Sequence, residues 1–335
     1  MDPLSQFLTG PRAQAAFALR VVMDPPFAID VQDQAALTVI VVVRGEAWIT
    51  AEGAEPQLLR QGQAATVRGP EPYIVADVPG REPTVVIDAE QPCRTPSGEK
   101  LELTFSRGVL TWGNSAVGET VLLIGTYQSP AAVGQLVTSV LPRVAVFGEE
   151  ALDGGLLGML ERELTHQRPG QESALDRLLD LLLLNLVRAC VDRGDAPHGT
   201  WAKASREPVV AQALELLHQE PAAPWTVAGL ALRCHVSRAT MAARFRAAVG
   251  QSPMAYLSAW RLALAADRLA SGNATTAVIA EEVGYSNAFT FSAAFSREYG
   301  VSPSGYRRSA QAANGRTEGA ANSSAGTGAG ERREM

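Results

Sequence analysis

The last third of the chain states one pattern twice, and that repetition limits what the chain folds into more than any other feature. Thr226 stands as a helix cap before the apolar-periodic run Val227 to Arg233, and His235 and Val236 make a turn. Ser237 then caps a helix predicted over Arg238 to Val249, which Gly250 closes. Ala274 to Val283, a turn at Gly284 and Tyr285, and a helix over Asn287 to Tyr299 ending at Gly300 repeat the arrangement. Each copy carries a phenylalanine at the matching place, Phe245 and Phe295, followed by a Gly-x-Ser-Pro segment, GQSP and GVSP. Ser252 to Leu269, with Pro253 in its first turn, reads as the helix joining them, and Val209 to His218 as one preceding them.

Two helices joined by a tight turn, the second beginning at a capping residue, form the unit that presents a recognition helix to the DNA major groove. A single such unit is a weak signal, because any helical protein has short turns. Two units on a connecting helix of about 18 residues, ~27 Å at the standard rise, are far more specific. Groove faces recur every ~34 Å along a duplex, so one rigid domain of this kind sets both helices on one side of it. Charge agrees in sign: residues 206–310 hold 10 arginines against 7 acidic residues, whereas residues 1–205 hold 16 basic and 25 acidic ones.

The stretch LALRCHVSRATMAARFRAAVGQSPMAYLSAWRLALAADRL, followed by IAEEVGYSNAFTFSAAFSREYGVSPSGYRR, resembles the AraC/XylS class of bacterial regulators. The resemblance implies a sequence-specific, promoter-binding transcription regulator, an activator, that binds double-stranded DNA, contacts RNA polymerase and forms a homodimer. Most matching positions are structural, and Phe245, Phe291, Phe295, Ile279 and Ala280 are expected in the core. The groove-facing candidates are Ser237, Arg238, Ala239, Thr240, Ala242 and Ala243 in the first recognition helix, and Asn287, Ala288, Thr290 and Ala293 in the second. Arg246, Arg297 and Arg307 suit phosphates better than bases. The family often has arginine where this chain has Ala243 and Ala293, so base reading is expected to lean on thymine methyl contacts and on Asn287. A regulator acting mainly through protein contacts, with weak DNA reading, is the alternative.

From Phe17 to about Gln128 short β-like runs such as FAIDVQ, LTVIVVV, AWITAE and TVVIDA alternate with turn residues, which predicts an antiparallel barrel or sandwich. The segment resembles the cupin-type domain that precedes some AraC-type DNA-binding domains, implying a small-molecule effector. Arg44, Trp48, Tyr73 and Trp112 are the candidate pocket residues. Cupin enzymes bind metal through histidines, but residues 1–165 contain none, and Tyr73 stands where a late histidine ligand falls. Cys93 has no histidine near it in sequence. No metal, cofactor or catalysis is expected.

The fold class is therefore multidomain α+β: a cupin-like antiparallel β-barrel over 1–130, a helical dimerisation segment over 131–193, a linker over 194–207, an all-α double helix-turn-helix domain over 208–308 with units at 226–249 and 274–299, and a disordered tail over 309–335. The leucines of Leu175 to Val187 form either intrachain core or a dimer seam. The longest apolar run, Leu178 to Val187, contains Asp180 and Asn185 and is far shorter than a bilayer span needs. With three scattered cysteines and no secretion signal, a cytoplasmic location is expected.

Overall fold

The computed structural model describes residues 16–89, 93–101, 110–127, 139–197, 200–204, 206–272 and 274–310. Most of the expected tail lies outside them. The first part contains β1 (Ala16–Met23), β2 (Ala28–Val31), β3 (Leu37–Arg44), β4 (Glu46–Ala51), β5 (Gln57–Arg60) and β6 (Ala64–Arg68). It continues with β7 (Tyr73–Ala76), β8 (Val85–Ile87), β9 (Cys93–Arg94), β10 (Thr111–Trp112), β11 (Thr120–Tyr127) and β12 (Val144–Phe147). They form two six-stranded sheets, ordered β10-β1-β11-β3-β6-β12 and β5-β4-β7-β2-β8-β9. Pairing is antiparallel except between β1 and β10 and between β2 and β8.

The expected barrel is thus an open sandwich, and β3 shows the reason. Its sequence, LTVIVVVR, is buried at six consecutive positions. Leu37, Val39 and Val41 pack with α1 (Gly154–Thr165) and α2 (Gln171–Arg193), whereas Ile40 and Val42 pack with the second sheet. A strand buried on both faces belongs to a central layer. The first sheet therefore lies between the second sheet and a helical layer, and among the described residues β10 and β12 end the first sheet and β5 and β9 the second.

The leucine stripe is intrachain core, not a seam. Leu175, Leu179, Leu182, Leu183, Leu186 and Val187 are all buried, in one cluster with Ala18, Val39, Leu123 and Tyr127 of the first sheet. Gly125 marks a close approach, since a Cβ there would lie 2.6 Å from Leu179 Cδ2. Two residues on, the Tyr127 hydroxyl donates to the Leu179 carbonyl at 2.9 Å. Among the described residues no helix is long and apolar enough to cross a membrane.

The segment expected as a linker is packed. It contains α3 (Trp201–Ala204), whose Trp201, Ala202 and Ala204 are buried. Lys203 Nζ donates to Gly194 O at 3.1 Å and Arg206 Nη2 to Asp192 O at 3.1 Å, so both cations satisfy carbonyls at the C-terminus of α2. The last domain follows with α4 (Pro208–Gln219), α5 (Val227–Arg233), α6 (Arg238–Val249), α7 (Pro253–Ser271), α8 (Thr276–Glu282), α9 (Ala288–Tyr299) and a final helix, α10, over 303–310.

Buried side chains divide this domain in two. The cluster that begins in the first sheet runs through α2, α3 and α4 into α5 and α6 and ends at Tyr256 and Leu257 on α7. A separate cluster, from Trp260 to Phe295, holds the rest of α7 together with α8 and α9.

Candidate nucleic-acid interface

Each helix-turn-helix is set by its caps. Thr226 Oγ1 accepts from Gly229 N at 3.0 Å to start α5, and Ser237 Oγ accepts from Thr240 N at 3.1 Å to start α6. In the second unit Thr275 Oγ1 accepts from Val278 N at 3.3 Å and Asn287 Oδ1 from Thr290 N at 2.8 Å. Asn287, expected as the first residue of the helix, is its cap, and it stays exposed beside the other groove-facing candidates. The turns differ as well: the first passes through His235 in the left-handed region at φ 54°, the second through Gly284 at φ 90°. Glycine is required at the latter position, because an added Cβ would come within 2.6 Å of Ala222 Cα.

Burial then sorts the recognition helices into an inner and an outer face. Phe245 of α6 and Phe291 and Phe295 of α9 point into the cores, as expected, and Met241 and Val249 of α6 join them. Ser237, Arg238, Ala239, Ala243 and Arg246 are exposed, with Thr240 and Ala242 half-buried at the shoulder. In the second unit Asn287, Thr290, Ala293 and Arg297 are exposed and Ala288 is half-buried. The structure therefore brings each set of groove-facing candidates onto one helix face.

Arg307 stands apart from them. Half-buried on α10, it donates from Nη2 to Ala274 O at 2.5 Å and so ties the last helix to the segment entering α8. Arg261 plays a comparable part on α7, donating to Pro221 O at 2.7 Å and Ala223 O at 2.8 Å; burial lowers its guanidinium pKa. Arg244 pairs with Glu207 at 3.1 Å, and the other oxygen of that carboxylate caps α4 by accepting from Val210 N at 2.7 Å.

Two outward residues escaped the sequence reading. Phe289, beside Asn287, is 84% exposed, and Leu232, at the end of α5, is 76% exposed. Helical phase was the available signal: Phe289 is four residues before Ala293, on the same face, and out of phase with Phe291 and Phe295.

The four candidate pocket residues do not converge. Tyr73 and Trp112 are buried between the sheets with Phe27 and Ile49, and burial drives the Tyr73 phenol pKa upward. Trp48 lies on the opposite face of β4, because Ala47, Ile49 and Ala51 take the inward positions. Arg44 is exposed at the end of β3 and donates to the carbonyls of Val117 and Gly118.

Comparison with known proteins agrees with this layout. The family described as Cupin matches residues 2–192, and the one described as Helix-turn-helix domain matches residues 230–309. A Streptomyces lividans protein named as an AraC-like transcription regulator is 31% identical over 316 residues, covering 92% of this chain and 98% of its own. A Streptomyces antibioticus protein of the same name is 32% identical, covering 92% and 99%. The HTH-type transcriptional regulator AlkR of Acinetobacter baylyi is 36% identical over 161 residues, covering 48% of this chain and 52% of its own. With a cupin-type sandwich ahead of two capped helix-turn-helix units, the chain belongs to the AraC-like family of DNA-binding transcription regulators.

Proposed function

We propose that the chain binds promoter DNA through the exposed faces of α6 and α9 and raises transcription there by contacting RNA polymerase. The observation that carries this is the pair of capped recognition helices, each with a buried aromatic side and an exposed side of small, polar or arginine residues. Ser237, Arg238, Ala239, Thr240, Ala242 and Ala243 face the groove in the first half-site, and Ala288, Thr290 and Ala293 in the second. Arg246 and Arg297 reach phosphates. The protein works in the cytoplasm as a homodimer, without catalysis. Its surface for self-association is one other than the leucine face of α2, which the first sheet covers.

The N-terminal domain, taken as 1–130 with the helices of 131–193, holds a small-molecule effector that modulates this binding. The continuity of one buried cluster from the first sheet to α6 supports such coupling. The test is binding by the full chain at increasing salt, together with genome-wide mapping of occupied sites. Salt-dependent binding to a shared motif, with two contact blocks about one helical turn apart, is expected. Diffuse occupancy without a motif overturns the reading in favour of protein-mediated action, and a monomeric mass in solution overturns the homodimer.

A further inference from the structure

The outward faces of the two recognition helices carry different chemistry, and the inference drawn from this rests on the DNA-binding reading above. Aligned by their caps, Ser237 and Asn287, the stripe Arg238, Ala242, Arg246 corresponds to Ala288, Ser292, Ser296. The neighbouring stripe Ala239, Ala243, Ala247 corresponds to Phe289, Ala293, Arg297. In the first stripe the first helix presents two cations and the second none; in the neighbouring stripe the first presents only methyl groups, whereas the second presents an aromatic ring and one arginine. The asymmetry extends to the whole units: residues 226–249 hold four arginines and no acidic residue, whereas residues 275–299 hold three glutamates and one arginine.

A phenylalanine exposed in isolation is ordinary on a protein surface. Phe289 differs in its place. It is the second residue of the recognition helix, with exposed Asn287, Thr290 and Ala293 around it, so its ring is left open to a partner. The core positions of the same helix are already filled by Phe291 and Phe295. A unit with one arginine against three glutamates gains little from phosphates, so contact with base edges carries the larger share of its hold on DNA. Among the bases, thymine alone offers a methyl group in the major groove.

We propose that Phe289 is the specificity-determining residue of the second unit and reads thymine methyl groups, while the cations of the first unit, Arg246 above all, supply the phosphate grip. The probe is a duplex enriched by the full chain from a random-sequence library, with each thymine replaced in turn by deoxyuridine, which lacks only the methyl. Each methyl under the ring is worth about fourfold in affinity by the transfer scale for one buried carbon. Wild-type protein is expected to lose about that much at one or two thymines of one contact block. Phe289→Ala removes this discrimination in that block and leaves the salt slope unchanged, and Phe289→Leu retains part of it. The double variant Arg238→Ala, Arg246→Ala flattens the salt slope and keeps the discrimination.

Phe289→Ala protein that still distinguishes thymine from deoxyuridine as the wild type does overturns the proposal. So does an enriched site with no thymine in the second block. A full chain that enriches no duplex overturns the DNA-binding reading as well, which separates the two failures.

Discussion

The two helix-turn-helix units share a motif but not a setting. The first packs its Met241, Phe245 and Val249 into a cluster that reaches back through α3 and α2 to the first β-sheet, and Glu207 grips Arg244 on its recognition helix. The second closes its own core, where Phe295 lies 4.6 Å from Tyr299 and 5.4 Å from Tyr306 between ring centroids. A repeat in sequence therefore yields one unit wired to the N-terminal domain and one that stands on its own core. The first also carries most of the exposed positive charge.

The most direct challenge to this contrast is to hollow out each core in turn. Phe245→Ala and Phe295→Ala each remove a fully buried ring and should cost about 3–5 kcal/mol in denaturant unfolding. Hydrogen exchange separates them: Phe295→Ala should lose protection in the second half of α7, α8, α9 and α10 alone, whereas Phe245→Ala should open α3, α4 and α5. Equal spread in both variants would erase the distinction between the units. On DNA, the double variant Arg238→Ala, Arg246→Ala should reduce the slope of log affinity against log salt by about 0.9 for each phosphate no longer neutralised. Arg297→Ala should reduce it by at most one such step.

Smaller effects test the local details. Ser237→Ala and Asn287→Ala each remove an N-cap and should destabilise by about 1 kcal/mol in thermal unfolding; a much larger loss in one would show that its side chain does more than cap. Arg244→Met breaks a partly exposed ion pair with Glu207, for which about 0.2–1 kcal/mol is expected. It leaves Glu207 capping α4. If Arg244→Met changed nothing measurable, the coupling of the first unit to its connector would reside in Trp201 and its apolar neighbours alone.

Much of the last domain is legible in the residues because its signals are local. A capping hydroxyl at Thr226 or Ser237, a glycine at Gly250 or Gly300 and an aromatic residue in helical phase each act within one or two turns of chain. The role of Arg307 is not legible in this way, because the carbonyl it meets, that of Ala274, lies 33 residues away. Trp48 misleads for a related reason. Strand β4 alternates EAWITA, and size favours tryptophan for the interior, but the register set by the pairing with β7 turns Ala47, Ile49 and Ala51 inward. In 194–207, glycine and proline mask a short helix that Trp201 anchors.

The order of residues alone was enough to specify the tandem helix-turn-helix, its caps, its core phenylalanines, its family and the β-then-α order of the chain. Periodicity, capping and turn chemistry are encoded over a few residues, and they recur here in duplicate. Three things emerged only from the assembled chain: the β-rich half is an open sandwich, the leucines of α2 serve its first sheet, and the first recognition helix shares its core while the second does not. These are choices of partner for apolar faces, and burial is non-directional: a leucine stripe states that it will be covered, and the tertiary fold says by what.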